Sequence, residues 1–379
     1  MSTLLRYLEK QIRADLEEKM VFLGGPRQVG KTTFAQSLIK NFKDRHRAYL
    51  NWDSLDDKKR IQKGEWPATE KLIVLDEIHK FKNWRNLIKG FYDKLKNTHH
   101  FLVTGSARLD YYRKGGDSLL GRYHYFRMHP LTIPELKKQF PSGDVERLMT
   151  FGGFPEPFLK KSPTHLKRWH RQRKERIVYS DIRDLENVRE ISQIEILIDA
   201  LPDRVGSPLS KKNLAQDLEV DFKTVEKWIS ILENVYYCYR ISPFGAPKIK
   251  AVKKEQKLFL WDWSEHQDQG ALWENFVAGH LLKFCHYHED CFGDKMELRF
   301  LRDVLGREVD FVVIKNKKPL FAVECKTGER NLSPHINYFA QRTNIPKFYQ
   351  VHRGKLDKKV DDRIRILPFT AFCELEELI

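Results

Sequence analysis

Short apolar runs alternate with helical patterns in the first third of the chain. The apolar runs lie at residues 20–23, 47–52, 71–75 and 99–103, and helical spacing of apolar residues is found at 4–18 and 34–42. Strands that are apolar throughout are covered on both faces, as in a parallel sheet with crossover helices. The pattern therefore predicts an α/β domain built on a parallel sheet.

Helical and hairpin patterns replace this alternation further along the chain. Residues 210–232 predict two helices joined by a short turn, and residues 236–259 predict a β-wing beside them. Two further strands are predicted at 306–314 and 320–326, joined by a loop at 315–319. We therefore expect a parallel-sheet core, a helical lid or linker, a winged helix-turn-helix and a C-terminal α/β domain, at residues 1–131, 132–190, 191–263 and 264–379.

The turn after the first apolar run fits the phosphate-binding template G-x-x-x-x-G-K-[ST]. The candidate nucleotide-binding residues are Gly25, Pro26, Arg27, Gln28, Val29, Gly30, Lys31, Thr32 and Thr33. Glycines let successive backbone N–H groups point at phosphate oxygens, and the following helix adds its dipole. We expect Lys31 to reach the β- and γ-phosphates and Thr32 to place its hydroxyl on Mg²⁺. The stretch predicts a nucleotide-binding protein.

Polar residues follow two other predicted strands, at the edge where a parallel sheet binds its ligand. Asp76 is expected to hold Mg²⁺ through its water shell, and Glu77 to orient the attacking water. Ser106, with Thr104 as second choice, is the candidate sensor of the γ-phosphate. Arg122 is a candidate for neutralising charge in the transition state, although a structural role is equally compatible with the sequence.

Several of these strings together resemble a bacterial and archaeal family of AAA-type ATPases with a C-terminal domain of unknown function. The strings span residues 25–33, 75–79, 104–106, 121–131 and 152–156. The resemblance implies an AAA+-like core that uses ATP, and it is compatible with a homo-oligomer. A helicase would need a second motor domain, and no second series of apolar strands with that pattern follows residue 130.

The excess of basic residues in the composition predicts an anionic partner. Lys and Arg total 68 against 52 Asp and Glu, a net charge of +16, which favours DNA over a merely solubilising surface. Five cysteines without framework spacing indicate a reducing compartment, and the cluster at 285–291 lacks the second ligand pair of a usual zinc site. With no leader pattern and no membrane-length apolar run, we expect a cytoplasmic protein with no membrane partner.

Two basic regions are candidates for DNA contact. Residues 160–176 hold eight Lys and Arg against one acid, and Trp169 either stacks on a base or packs inward. In the predicted helix-turn-helix, Asp221 is a possible N-cap, and Lys211, Lys212, Lys223 and Lys227 would face phosphate together with lysines of the wing, Lys248, Lys250, Lys253, Lys254 and Lys257. A winged helix that serves only as a lid or assembly module stays open as an alternative.

Acidic residues face each other across the last predicted hairpin. If the hairpin is symmetric about Lys317, Asp310 lies opposite Glu324 and Glu308 opposite Lys326, all on one face. Like charges placed about 5 Å apart destabilise a sheet. A divalent metal is the simplest compensation, although an ordinary ion pair of Glu308 with Lys326 is an alternative.

This hairpin resembles the PD-(D/E)xK nuclease pattern, an acid on one strand and Glu-x-Lys on the next. The resemblance implies that Asp310 and Glu324 bind Mg²⁺ or Mn²⁺, that Glu274 assists from an earlier helix, and that Lys326 positions the hydrolytic water. We therefore expect an ATP-hydrolysing, DNA-binding protein with a metal-dependent nuclease-like domain. The alternative is a signalling or regulatory ATPase, of a toxin–antitoxin or defence type, whose C-terminal domain is an inactive protein-binding scaffold.

Overall fold

Two β-sheets organise the protein, each in its own unit. The computed structural model describes residues 4–43, 46–105, 119–137, 144–182, 191–245 and 255–379. The chain divides into a first unit of residues 1–130 with 234–236 and a second unit of residues 131–233 with 237–379. A five-stranded sheet forms the first unit and an eight-stranded sheet the second.

The first sheet is parallel throughout, in the order β2-β3-β4-β1-β5. Its strands are β1 (Met20–Gly24), β2 (Tyr49–Asn51), β3 (Leu72–Asp76), β4 (His100–Thr104) and β5 (Tyr123–Arg127). The described helices of this unit are α1 (Glu9–Leu16), α2 (Lys31–Leu38), α3 (Leu55–Lys63) and α4 (Trp84–Leu95). Strands β1, β3 and β4 are almost wholly buried, as expected for a sheet covered on both faces. The predicted parallel α/β fold is confirmed.

The hydrophobic pattern of the sequence does not predict strand β5 (Tyr123–Arg127). It pairs with β1 along five residues, Met20↔Tyr123 to Gly24↔Arg127. Its sequence, Tyr-His-Tyr-Phe-Arg, mixes aromatic and charged residues, and only two of the five are buried. An edge strand with one neighbour can keep polar residues, so the continuous apolar pattern that marks the central strands is missing here.

Helices make up most of the second unit between residues 133 and 234. They are α5 (Ile133–Lys137), α6 (Val145–Phe151), α7 (Pro155–Lys160), α8 (Pro163–Arg176), α9 (Ile191–Ala200), α10 (Lys211–Asp217) and α11 (Phe222–Asn234). Helix α8 continues into a π-helical turn at Ile177–Ile182. The predicted pair of helices in 210–232 is present as α10 and α11, and the Asp221 carboxylate accepts a hydrogen bond from the Lys223 N–H (2.8 Å) in the turn before α11.

The second sheet has the order β12-β13-β11-β10-β9-β8-β6-β7. Its strands are β6 (Cys238–Pro243), β7 (Lys257–Leu260), β8 (Met296–Arg302), β9 (Glu308–Lys315), β10 (Lys318–Cys325), β11 (Phe348–His352), β12 (Lys358–Lys359) and β13 (Ile364–Pro368). Helices α12 (Gln269–Phe292), α13 (Pro334–Ala340) and α14 (Phe369–Leu375) complete the unit. Ile336 and Phe339 of α13 join one core cluster with Val309 and Val312 of β9.

The hairpin β6–β7, at the place of the predicted wing, continues the C-terminal sheet. Strand β6 pairs with β7 on one side and, through Ser242↔Arg299 and Pro243↔Phe300, with β8 on the other. A single sheet therefore runs across the predicted boundary at residue 263. This continuity brings Lys257, the first residue of β7, to the same sheet as the acidic hairpin β9–β10.

Candidate functional site

The turn between β1 and α2 has the backbone that a phosphate-binding loop requires. Gly25, Gln28 and Gly30 adopt positive φ angles of 129°, 63° and 98°. A side chain at Gly25 is excluded by contact as well, because an added Cβ would lie 2.4 Å from the Met128 carbonyl oxygen. Such turns expose successive N–H groups to an anion. The glycine positions predicted from the sequence are thus explained by conformation and by close packing.

Lys31 is the first residue of α2, and its side chain folds back over the turn. Nζ donates hydrogen bonds to the carbonyl oxygens of Gly25 (2.8 Å) and Pro26 (2.7 Å), and the residue is only 8% exposed. A lysine ammonium carries three donors on a flexible stem. The ammonium therefore lies directly at the turn, beside its backbone carbonyl groups.

Arg6 holds the phosphate loop from the segment before α1, a role that the sequence did not suggest. Its guanidinium donates to the Val29 carbonyl (2.7 Å) and to the His129 carbonyl (2.5 Å), and the residue is buried. Val29 itself is wholly buried, whereas Thr32 and Thr33 are exposed. Arg6 therefore fixes the loop to the segment that follows β5.

The Asp76 carboxylate, at the end of β3, is surrounded by hydroxyl groups. Thr104 Oγ1 donates to Oδ1 (2.5 Å), while Thr32 Oγ1 (2.9 Å) and the Tyr49 hydroxyl (2.7 Å) donate to Oδ2. Hydroxyls orient a carboxylate without cancelling its charge. Thr32 and Asp76 together offer the oxygen ligands that Mg²⁺ prefers, so these residues fit the metal predicted from the sequence.

Glu77 stands next to this carboxylate in a strained conformation. Its φ is 59°, in the left-handed region that non-glycine residues rarely adopt, and its N–H donates to the Thr104 carbonyl (3.0 Å). Its Oε2 lies 3.3 Å from Lys80 Nζ and 3.6 Å from His79 Nε2. The side chain is 22% exposed as a whole, but Oε2 itself is buried and has no hydrogen-bond partner.

One predicted residue of this centre, Arg122, is not brought to it. Ser106 lies outside the described residues. Arg122 precedes β5 and forms an ion pair with Asp93, Nε to Oδ1 at 2.8 Å. In a parallel sheet this is the edge opposite to the phosphate loop, which follows the last residue of β1. Arg122 therefore lies away from the phosphate loop of its own chain.

Strands β9 and β10 place Asp310 and Glu324 on facing strands, as the spacing predicts. The register runs through Ala322↔Val312 and Val323↔Phe311, and the next pair along it is Glu324 with Asp310. The turn is shorter than the predicted loop. It consists of Asn316 and Lys317, both with positive φ, and a register shift between Pro319 and Phe321 restores the expected pairing.

Glu324 has one paired and one unpaired carboxylate oxygen. Oε1 accepts a hydrogen bond from Lys326 Nζ (2.7 Å), whereas Oε2 is buried and has no hydrogen-bond partner. Burial, and then the charge of Asp310, raise the pKa of Glu324 to about 7. Asp310 Oδ2 accepts a hydrogen bond from the Cys325 N–H (2.7 Å). An unpaired buried oxygen beside a second carboxylate is suited to a cation.

Glu308 of β9 and Glu274 of α12 both lie beside Lys257, a lysine that the sequence did not connect with them. Lys257 Nζ lies 3.0 Å from Glu274 Oε1 and 3.9 Å from Asp310 Oδ1, and it also pairs with Glu308 Oε1. Lys257 is 1% exposed, so it does not face phosphate as we expected for a lysine of the wing. Burial alone would lower the pKa of Lys257, but the three carboxylates raise it overall and keep the ammonium charged.

Glu274, the expected third metal ligand, therefore faces Lys257 instead. Burial, with the charge of Asp310 second, raises the pKa of Glu274 to about 8. Among the described residues, no group of three or more His, Cys, Asp or Glu side chains converges in a way that could hold a metal. The site offers two facing carboxylates, Asp310 and Glu324, which fit one divalent cation, and not the three carboxylates of the prediction.

The basic regions are only partly exposed. Trp169 packs inward against Phe154, with ring centroids 5.1 Å apart, so it is not a stacking platform for a base. Lys212, Lys223 and Lys227 are exposed, whereas Lys211 Nζ forms an ion pair with Glu226 Oε2 at 2.5 Å. The wing lysines Lys248, Lys250, Lys253 and Lys254 lie outside the described residues.

Residues 17–137 match the family model of an AAA domain, and they contain the phosphate loop, Asp76 and the parallel sheet described above. Residues 142–264 and 269–372 match models of two domains of unknown function, DUF8612 and DUF4143.

Two uncharacterized proteins are similar to this chain over most of its length. MJ1544 of Methanocaldococcus jannaschii is 24% identical over 95% of this chain and 90% of its own. Rv2008c of Mycobacterium tuberculosis is 22% identical over 69% of this chain and 62% of its own.

Two solved structures match this chain with low TM-scores. The Aeropyrum pernix ORC1 protein in complex with DNA matches with a TM-score of 0.32 and 15% identity, over 73% of this chain and 93% of that one. The Thermotoga maritima RuvB Holliday junction branch migration motor matches with a TM-score of 0.30 and 19% identity, over 62% and 88%. TM-scores this low carry no argument about function.

None of the described helices is long and apolar enough to cross a membrane.

Proposed function

We propose that the protein binds and hydrolyses ATP at the phosphate loop between β1 and α2. The observation that carries this proposal is the contact of Thr32 with Asp76 (2.9 Å), which joins the loop to the end of β3. ATP needs a cation to balance its phosphate charge, and the magnesium ion supplies this when bound. Thr32 and Asp76 are the residues that would hold it, and Lys31 would contact the phosphates.

In this proposal Glu77 orients the water that attacks the γ-phosphate. The test compares Lys31→Ala and Glu77→Gln with wild type, and uses Lys40→Ala, an exposed lysine of the same unit, as control. We expect Lys31→Ala to lose ATP binding, and Glu77→Gln to bind ATP but to turn it over roughly a hundredfold to a thousandfold more slowly. Unchanged ATP turnover in Glu77→Gln would mean that another residue orients the attacking water.

A second function is favoured by the unpaired Glu324 Oε2. We propose that the C-terminal domain cleaves nucleic acid with one divalent cation, which Asp310 and Glu324 would hold, and that Lys326 positions the attacking water. Plasmid and branched DNA are incubated with Mn²⁺ and wild-type, Asp310→Ala or Glu324→Ala protein. Cleavage by wild type alone is expected. No cleavage by any of them, or equal cleavage by all, would instead favour the inactive scaffold of a regulatory ATPase.

DNA contact by α11 (Phe222–Asn234) rests on the exposed Lys223 and Lys227 and on the net charge of +16. Charge reversal of both lysines should weaken DNA binding, and affinity should fall steeply with salt, because each phosphate contact releases counterions. Lys40→Glu, on the first unit, is the control for a general change of charge. Equal weakening by Lys40→Glu would show that α11 is not the contact.

A further inference from the structure

We propose that Asp53 is a positioning residue for ATP hydrolysis, because it draws the ammonium of Lys80 away from Glu77. Lys80 Nζ donates a hydrogen bond to Asp53 Oδ2 at 2.6 Å, whereas the same nitrogen lies 3.3 Å from Glu77 Oε2. Glu77 Oε2 is buried and has no hydrogen-bond partner. The ammonium is therefore shared unequally between the two carboxylates, in favour of Asp53. This role of Asp53 rests on the proposed function, in which Glu77 orients the attacking water.

The charge of Lys80 makes its position important for hydrolysis. Burial alone would lower the pKa of Lys80, but the hydrogen bond to Asp53 and the charge of Glu77 raise it overall. The side chain therefore remains an ammonium, whose three donors can bond either carboxylate. A full ion pair with Lys80 would cancel the charge of Glu77 and weaken this carboxylate as an acceptor for a proton of the water. Asp53 competes with that pairing.

Stacked aromatic rings bring the segment of Asp53 and the segment of Lys80 together. The ring of Trp52 stacks on that of Phe81, with centroids 4.9 Å apart. Asp53 follows the first of these aromatic residues, and Lys80 precedes the second. The Trp52 N–H also donates to the Asp76 carbonyl (2.9 Å), which joins this turn to the end of β3. The contact between Asp53 and Lys80 is thus part of a packed junction, and not a chance meeting of two surface side chains.

The other neighbours of Glu77 are fixed by packing or by backbone hydrogen bonds. Its N–H donates to the Thr104 carbonyl (3.0 Å), and His79 Nε2 lies 3.6 Å from its Oε2. The His79 ring is buried against Gly105, where an added Cβ would lie 2.5 Å from Nδ1. The side chain of Lys80, by contrast, is 30% exposed. Lys80 is therefore the neighbour of Oε2 that can change its partner.

The Asp53 side chain contributes little to the stability of the fold. It is 55% exposed, and exposed ion pairs add little to the free energy of unfolding. Asp53→Asn should therefore fold like wild type, so that a change in ATP turnover reports on Glu77 and not on stability. In this variant the ammonium of Lys80 is left with the carboxylate of Glu77.

The test measures kcat and the Kd for ATP in wild type, Asp53→Asn, Lys80→Met and the double variant. We expect the kcat of Asp53→Asn to fall roughly tenfold, a part of what a positioned base contributes, with an unchanged Kd. Lys80→Met and the double variant should retain the wild-type kcat, because no ammonium remains to neutralise Glu77. Asp53→Glu should retain it too, because its carboxylate still attracts Lys80. Wild-type kcat in Asp53→Asn, or an equal loss in the double variant, would overturn the proposal.

Two further variants separate the causes of a loss of turnover. Asp56→Asn removes an exposed charge from α3 and is the matched control, which should turn over ATP like wild type. Wild-type turnover in Glu77→Gln would refute the proposed role of Glu77, on which the role of Asp53 rests. Slow turnover in Glu77→Gln, together with wild-type turnover in Asp53→Asn, would refute the role of Asp53 alone.

Discussion

Two buried groups of acidic side chains in this protein are compensated in opposite ways. Asp76 in the first unit accepts hydrogen bonds from the hydroxyls of Thr32, Tyr49 and Thr104. The acids of the second unit meet cations, namely Lys257, Lys326 and Arg302. Hydroxyls position a carboxylate and leave its charge for a metal, whereas cations cancel the charge and compete with a metal. Glu324 lies between these two cases, because Lys326 pairs with its Oε1 and leaves its buried Oε2 without a hydrogen-bond partner.

Loss of the Asp76 charge should give the largest effect. Asp76→Asn keeps the size of the side chain but removes the charge that would hold magnesium, so we expect ATP hydrolysis to fall roughly a thousandfold. Asp310→Asn in the second unit should leave hydrolysis within about twofold of wild type, and Asp56→Asn, exposed on α3, serves as control. Equal rates of ATP hydrolysis in Asp76→Asn and wild type would show that the Asp76 charge is not needed for hydrolysis. The contrast between the two groups of acidic side chains would then be wrong.

Loss of the Lys257 charge should act on stability instead. Lys257→Met leaves the buried carboxylates without their cation, and breaking a buried ion pair typically costs about 3–5 kcal/mol. The free energy of unfolding, measured in urea, should fall accordingly. Lys295→Met is the matched control, because Lys295 is exposed and lies 4.0 Å from Glu297. Similar losses in both variants would contradict a special role of Lys257.

Removal of one hydroxyl from Asp76 should have a smaller effect than removal of its charge. Tyr49→Phe deletes a hydrogen bond to a charged group, worth about 1.5–3 kcal/mol. We expect a higher Mg²⁺ requirement and roughly tenfold slower ATP hydrolysis at limiting Mg²⁺. Tyr92→Phe, whose hydroxyl donates to the Glu18 carbonyl at 3.3 Å, should behave like wild type.

A third buried carboxylate, that of Asp262, pairs with His170, whose charge depends on pH. His170 Nε2 lies 3.3 Å from Asp262 Oδ2 and 3.1 Å from Ser264 Oγ. Burial alone would lower the pKa of His170, but the hydrogen bond and charge of Asp262, with Glu265, raise it in spite of nearby Arg173. A raised pKa stabilises the fold fully below about pH 6.5, and this contribution is lost as pH rises through the folded pKa.

His170→Gln should therefore lose the most stability in mildly acidic solution. We expect wild type to exceed the variant by roughly 1 kcal/mol near pH 5.5, and the difference to shrink towards pH 9. Thermal unfolding across this range provides the measurement, and His165→Gln, paired with the exposed Glu156, is the control. A difference that grows with pH would show that the imidazole is neutral in the folded protein.

The sequence was most informative where function needs a fixed local pattern. The phosphate loop, Asp76 and the opposition of Asp310 to Glu324 all depend on residues close in the chain or on facing strands of one hairpin. The partners of these residues were not predictable in the same way. Tyr49 contacts Asp76 from the neighbouring strand β2. Nothing in the sequence pattern of Tyr49–Asn51 indicates that the Tyr49 hydroxyl donates a hydrogen bond to this carboxylate.

Lys257 shows why a lysine in a basic stretch can be misjudged. It follows a run of wing lysines, so charge alone suggested an exposed position. Strand β7 is buried at all four residues, however, so the alternation of inner and outer side chains gives no signal there. Only the tertiary structure brings it to Glu274 and Glu308. Likewise, Arg6 contacts carbonyl groups, which no sequence motif identifies.

The shared sheet at β6 and β8 also bears on how this chain can be divided. A fragment that starts after residue 263 would lose β6 and β7, and with them both Lys257 and the strand that pairs with β8 through Ser242 and Pro243. Its newly exposed strand edge could template pairing between molecules, and its carboxylates would repel one another. Such a fragment should aggregate or unfold more readily than one that begins before β6.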